Sequence, residues 1–253
     1  MKKTIFVFSL SFFCIGQLMS QQKPKPEDTE VWSPVPKLIT PGKNPGDPPS
    51  DAIVLFNGKD LSQWVSTNDT TKAAGWTLDN GLLRVNKTAG DIQTKSRFRD
   101  FQLHIEWRVP ENITGSNQAR GNSGIFLAAV DGGGYELQVL DSYNNATYVN
   151  GMAGSLYKQY IPLANPTRPP GEWQVYDVIW TAPRFTDTTL VNPAHVTVLF
   201  NGVLVENNVA LFGMTEYIGM PYYKAHGPEP IRLQAHGDKS EPISFRNIWV
   251  RNL

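Results

Sequence analysis

The 253-residue sequence holds a single cysteine, Cys14, and it lies inside an N-terminal apolar run. Once that run is removed the chain has no thiol and can form no disulfide. Net charge is lacking as well, because 23 Lys and Arg side chains balance 23 Asp and Glu. Neither nucleic acid nor an anionic membrane surface is therefore implied as a partner. The apolar run from Ile5 to Leu18 is short for a membrane span. No long stretch holds a 3.6-residue apolar period, and no HxxxH or CxxC spacing marks a metal site.

Lys2 and Lys3, the apolar run and the small residue Ser20 stand in the order of a secretory signal peptide. Residues 1–20 are thus expected to be cleaved and the protein to be secreted or periplasmic. Cys14 follows Phe12 and Phe13 rather than a small residue, which disfavours a lipoprotein signal. Residues 21–50 are rich in Pro and Lys and read as an extended arm. Residues 51–253 read as one large β domain.

Aromatic and β-branched residues are plentiful in that domain, and Gly and Pro break it into short segments. From Phe101 to Val109 apolar and polar residues alternate, which predicts a half-buried antiparallel strand. Similar segments are 52–56, 76–78, 82–85, 123–129, 135–140, 173–181, 194–200, 203–206, 231–235 and 243–251. Asn201-Gly202 predicts a type I′ hairpin turn between two of them. Many antiparallel strands with no helices between them predict an all-β fold, a two-sheet antiparallel β-sandwich of jelly-roll type. The irregular stretches Pro110 to Asn122, Ser142 to Pro170 and Ala210 to Pro230 are long enough to shape a binding site at one end of a concave sheet.

Two of these strands carry the chemistry. In YELQVLDSY, Leu137 and Val139 point to one face while Glu136 and Gln138 point to the other. In IRLQAHG, Ile231, Leu233 and Ala235 share the core side, and Arg232, Gln234 and His236 share the opposite one. One sheet face offering carboxylate, amide, guanidinium and imidazole predicts a polar groove for a hydroxyl-rich ligand, a carbohydrate. Asn122 and Gln138 suit sugar hydroxyls because an amide both donates and accepts. Tyr143, Tyr157 and Tyr160, on predicted loops, can stack on a sugar ring. Lys158, Gln159 and Arg120 are further polar candidates. His104, His195 and His226 sit in ordinary strand or loop contexts, and Gly132-Gly133-Gly134 reads as a hairpin loop.

NGKDLSQW (57–64), RGNSGIFL (120–127), YELQVLDSY (135–143), AGSLYKQ, PPGEWQVYD, FNGVLVENN (200–208) and IRLQAHGD followed by FRNIWVRNL together resemble the 3-keto-disaccharide hydrolase domain family. The resemblance runs from about Val54 to Leu253. It implies a concanavalin A-like lectin/glucanase sandwich acting on glycosides whose C3 has been oxidised to a ketone, beside a separate sugar 3-oxidoreductase. This chain reads LQAHG at 233–237 where many relatives read LQDHG, so no acid stands at Ala235.

A C3 ketone acidifies the C2 proton through its enolate. Removing that proton can expel the C1 substituent, and water then adds to the enone. Such a site needs a base, a donor or cation at the enolate oxygen, and an acid for the leaving group. Glu136 is the first choice for the base, His236 for the acid or base, and Lys158 for the cation. Asp141 reaches the groove only through a bend after Leu140, and turn capping is its competing role. Arg120, Asn122, Gln138, Tyr143, Tyr157, Gln159, Arg232 and Gln234 are the expected sugar contacts. A divalent cation such as calcium is a possible cofactor, with Glu136, Asp141 and His236 as its candidate ligands. The competing functions are a non-catalytic carbohydrate-binding module and an ordinary glycoside hydrolase. The latter lacks a second acid in register with Glu136.

Overall fold

The computed structural model describes residues 23–253, so the expected signal peptide and Cys14 lie outside the described residues. The chain divides into two units, residues 1–38 and 39–253. The described part of the first holds a 3₁₀ turn at Pro26–Thr29, where the Asp28 carboxylate accepts the Lys25 amide at 2.9 Å, and no strand. Residues 39–50, the end of the expected arm, belong with the β-domain. The Gly46 carbonyl accepts Nδ2 of Asn247 at 2.9 Å and Nε1 of Trp249 at 2.8 Å.

Fifteen strands follow in chain order. They are β1 (Ile53–Phe56), β2 (Trp64–Ser66), β3 (Thr77–Asp79), β4 (Leu82–Arg84), β5 (Ile92–Thr94), β6 (Phe101–Arg108), β7 (Ser123–Val130) and β8 (Gly133–Val139). After these come β9 (Gln174–Thr181), β10 (Arg184–Thr186), β11 (Thr189–Asn192), β12 (His195–Phe200), β13 (Val203–Ala210), β14 (Arg232–Leu233) and β15 (Ser244–Asn252). One antiparallel sheet runs β13-β12-β9-β6-β15-β4-β3 with β1 also paired to β15, a second runs β2-β5-β14-β7-β8, and β10 and β11 form a separate two-stranded hairpin. The fold is the expected all-β sandwich.

The core lies between the sheets and follows the period of two. On β6, Phe101, Leu103, Ile105 and Trp107 are buried; on β8, so are Tyr135, Leu137 and Val139. Tyr135 and Trp180 meet across the interior with ring centroids 5.1 Å apart. The predicted β12–β13 turn forms at Asn201 and Gly202, with φ of 52° and 80°, a conformation that Asn and Gly tolerate best. The half-buried character expected of β6 does not hold at His104 and Glu106. Both are buried on the outer face, because Asn247, Arg246 and residues around Gly46 cover them.

The three-residue strands β2 and β5 and the β10–β11 hairpin have no strong alternation in the sequence. In contrast, β14 keeps only two paired residues, yet its alternation continues beyond them, with the Gln234 amide bonding the Gly124 carbonyl at 3.0 Å. Among the described residues no helix is long and apolar enough to cross a membrane.

Candidate active site

The outer face of the five-stranded sheet forms the floor of a cavity of about 1320 Å³. That exceeds the roughly 300–1,000 Å³ typical of a site for one drug-sized ligand. The floor is built from Phe126 on β7, Glu136 and Gln138 on β8, and Arg232 with Gln234 and His236 at and after β14. All three long loops contribute walls: Ser116 to Ala119, Tyr148 with Tyr157 and Lys158, and Met214 to Tyr217 with Tyr222.

Glu136 is 6% exposed, and burial pushes its carboxyl up to about 8, with Arg232 opposing and Asp91 adding to the shift. Its carboxyl leans over Gly124 of the neighbouring strand, where a Cβ would meet Oε1 at 2.3 Å. Among the described residues no hydrogen bond holds it. Its backbone is fixed instead: the Glu136 amide donates to Thr215 Oγ1 at 3.1 Å, and its carbonyl accepts the Tyr157 amide at 3.1 Å. The second contact places Tyr157 and Lys158 beside β8 at the level of Glu136.

Arg232 lies flat on the Phe126 ring, 3.7 Å from its centroid, and donates to the Gly132 carbonyl at 2.7 Å. Its Nε is 3.6 Å from Asp91 Oδ2, while Asp91 Oδ1 accepts the Ala235 amide at 2.8 Å. Ala235 itself packs against the core, as its phase requires.

His236 opens onto the cavity with Nδ1 2.9 Å from Asp238 Oδ2. Although burial works against the Asp238 charge, bonds from His236, Ser240 and Lys87 hold its carboxyl well below the ordinary range. The carboxylate so fixed holds the imidazole through Nδ1 and leaves Nε2 for the cavity.

Lys158 has a positive φ of 60°, and its ammonium group sits among three tyrosine rings, 4.3 Å from Tyr217, 5.6 Å from Tyr157 and 6.0 Å from Tyr148. It also donates to the Tyr217 carbonyl. The Tyr148 and Tyr157 hydroxyls are hydrogen-bonded to each other, and burial, with this bond, pushes the Tyr157 phenol well above its usual range. At the amide end of the floor, Gln138 meets Asn122 and Gln118, and the Oε1 atoms of Gln138 and Gln234 are buried without a partner among the described residues.

The cavity therefore brings together Glu136, His236, Lys158, Asn122, Gln138, Tyr157, Arg232 and Gln234. It does not include Asp141, Arg120, Tyr143 or Gln159. No bend carries Asp141 into the groove; it is 1% exposed, accepts the Tyr143 amide at 3.1 Å and pairs with Arg120 Nε at 2.8 Å. Tyr143 is on the outer surface, and Gln159 ties its loop to Gly213 and Phe212. Tyr160 stacks on Phe212 with centroids 5.3 Å apart. His104, His195 and His226 are absent from the cavity wall.

Among the described residues no three His, Cys, Asp or Glu side chains converge as a cation cage. Removing Asp141 from the candidate ligands leaves Glu136, which faces a guanidinium, and His236, which is committed to Asp238. These residues do not fit the divalent cation considered from the sequence.

Asp238, Asp91, Gln118 and Tyr148 were not expected. Only Asp238 carries a sequence signal, His-Gly-Asp, in which the acid two positions on can bond back to the imidazole.

The sequence matches the family described as the 3-keto-alpha-glucoside-1,2-lyase-like domain over residues 51–251. A 3-keto-disaccharide hydrolase of Bacteroides thetaiotaomicron is 27% identical over 151 residues, covering 48% of this chain and 49% of that protein. The chain thus spans about half the length of that curated relative. A crystal structure from Parabacteroides distasonis, provisionally described as a glycosyl hydrolase, has a TM-score of 0.84 and 56% identity, covering 90% of this chain and 97% of that one. A second one from the same organism, described in the same way, has a TM-score of 0.57 at 20% identity, covers 80% and 94%, and bears on the fold alone. With most of its β-domain matched, the chain belongs to the 3-keto-α-glucoside-1,2-lyase-like domain family.

Proposed function

We propose that the protein cleaves glycosidic bonds of 3-keto-glycosides by C2 proton abstraction, C1 elimination and hydration. The observation that carries this reading is Glu136, a buried carboxyl with no hydrogen-bond partner among the described residues, on a polar floor whose adjacent strands carry no second carboxylate. Asp91, Asp131, Glu216 and Asp238 also line the cavity; Asp91, Asp131 and Asp238 are each committed to a partner, and Glu216 stands on the Met214 to Tyr217 loop wall rather than on the floor. A single basic carboxylate suits removal of a ketone-activated proton better than the paired acids of an ordinary glycosidase.

In this reading Glu136 takes the proton from C2, and the C2 electron pair moves toward the ketone. The enolate oxygen is met by the Lys158 ammonium group, held in place by its tyrosines. The C1–O bond breaks as His236 gives a proton to the departing oxygen. Water then adds its hydroxyl to C1 of the enone and leaves its other proton on His236, while Glu136 returns a proton to C2, so both residues are restored and the net reaction is hydrolysis. Asp238 keeps the imidazole aimed, and Arg232 supports Glu136 as it ionises.

The ketone must be made beforehand, so an oxidoreductase acting on sugar C3 has to supply the substrate. The N-terminal signal would place that sequence of reactions outside the cytoplasm.

Release of product from a methyl 3-keto-glucoside and from its unoxidised parent tests the reading, with chelator present and absent. Cleavage of the ketone compound alone is expected, with or without chelator. Cleavage of both compounds would favour an ordinary glycoside hydrolase, and binding without cleavage a carbohydrate-binding module.

A further inference from the structure

We infer that Gln138 reads a sugar hydroxyl as a donor and refuses a carbonyl at the same position, because its amide is locked with only Oε1 left for the ligand. The lock starts from two backbone carbonyls, which can only accept. The Gly151 carbonyl takes Nε2 of Gln118 at 2.8 Å, which turns Gln118 Oε1 toward the sheet. The Gln118 carbonyl takes Nδ2 of Asn122 at 2.8 Å, which turns Asn122 Oδ1 toward Gln138.

The Gln138 amide therefore faces two oxygens, Gln118 Oε1 at 3.2 Å and Asn122 Oδ1 at 3.3 Å, and both require its Nε2. Each of the two N–H groups is committed, and Oε1 stays buried without a partner among the described residues. The residue is 1% exposed, and the Tyr176 hydroxyl holds its backbone carbonyl at 2.8 Å. The amide cannot turn over unless Gln118 and Asn122 also do.

A ligand hydroxyl can donate to this oxygen. A ketone oxygen there would set acceptor against acceptor in a buried place, a loss of roughly 10–100-fold in affinity. The same site that requires one ketone would thus exclude a second one, which defines where on the ring the oxidised carbon sits.

This inference rests on the proposed function for the identity of the ligand. Its test is calorimetric binding of methyl 3-keto-glucoside and its 2-, 4- and 6-deoxy derivatives, all in a Glu136→Gln background so that no ligand is consumed. One deoxy derivative should bind roughly 10–100-fold more weakly than the parent. Adding Gln138→Met should erase that difference, and Gln118→Met, which frees the amide to turn, should shrink it. Should Gln138→Met fail to fold, Gln118→Met carries the comparison.

Deoxy derivatives that all bind like the parent, or a penalty unchanged in both variants, would overturn the inference. Keto-dependent cleavage by the wild type without such a penalty would leave the proposed function standing and remove this inference. A Gln138-dependent penalty without cleavage would do the reverse, and no binding of any of these sugars would remove both.

Discussion

The carboxyl of Glu136 occupies the space that a side chain at Gly124 would fill: a Cβ there would lie 2.3 Å from Oε1. Gly124 sits in a regular strand opposite Gln138, so its value is the room it leaves rather than its backbone freedom. Gly124→Ala should therefore displace the carboxyl and lower kcat by about 10–100-fold, since small misplacements of a reacting group cost that order. Steady-state kinetics and a melting curve check this. A large loss of Tm with kcat unchanged would show that the glycine serves packing alone.

Glu136→Gln should remove about 10²–10⁴-fold in kcat, the usual span for a general base. For the wild type, kcat/KM should rise with pH through about 8, where the carboxyl ionises. Stability should run the other way. The folded-state value of about 8 lies above the ordinary 4.5, so the folded chain holds a proton that the unfolded chain releases, and stability declines as pH rises between those values. The Gln variant lacks this loss and should melt above the wild type at pH 9, with the gap closing toward pH 4. Parallel melting curves across that range would contradict the assignment.

His236 should matter in proportion to how poor the leaving group is. His236→Ala is expected to cost about 10²-fold or more on a methyl glycoside and far less on a nitrophenyl glycoside of the same 3-keto sugar, which leaves without protonation. Asp238→Asn should reproduce the pattern more weakly, since Asp238 acts through the ring that it holds by Nδ1. Equal losses on both substrates would assign His236 to binding.

On the opposite face, Nδ1 of His104 lies 2.7 Å from Asp177 and its ring stacks on Trp249 at 5.3 Å. Burial opposes its charge, but Asp177 and Glu106 raise the imidazole to about 9 from an ordinary 6.5. The folded value is the higher one, so this stabilisation is full below about pH 6.5 and disappears as pH rises toward 9. His104→Gln should melt well below the wild type at pH 6 and close to it above pH 9. A gap that does not change with pH would show that the ring contributes packing alone.

The parts of the site legible in the sequence were those set by the period of two. Glu136 and Gln138 on one strand, and Arg232, Gln234 and His236 on another, declare their common face locally, and the sandwich only has to bring the strands together. Contacts between distant segments were not legible. Asp141 turns to Arg120 because the chain leaves the sheet after Val139, and local phasing cannot show which way the following residues go. Burial of His104 and Glu106 depends on Gly46 and Asn247, far away in sequence. Gln118 looks like an ordinary loop residue until the Gly151 carbonyl fixes its amide. The expectation that Asn122 and Gln138 both donate and accept gives way, at Gln138, to an amide that can only accept.

The central claim is removal and return of the C2 proton, and the most direct measurement is cleavage of a 3-keto-glucoside in deuterated water, stopped early and compared with an enzyme-free control. One deuterium should appear at C2 of each released 3-keto sugar, because hydration of the enone must take that hydrogen from solvent or from an exchanged Glu136. Product formed with its original C2 proton intact would contradict the account and favour direct displacement at C1.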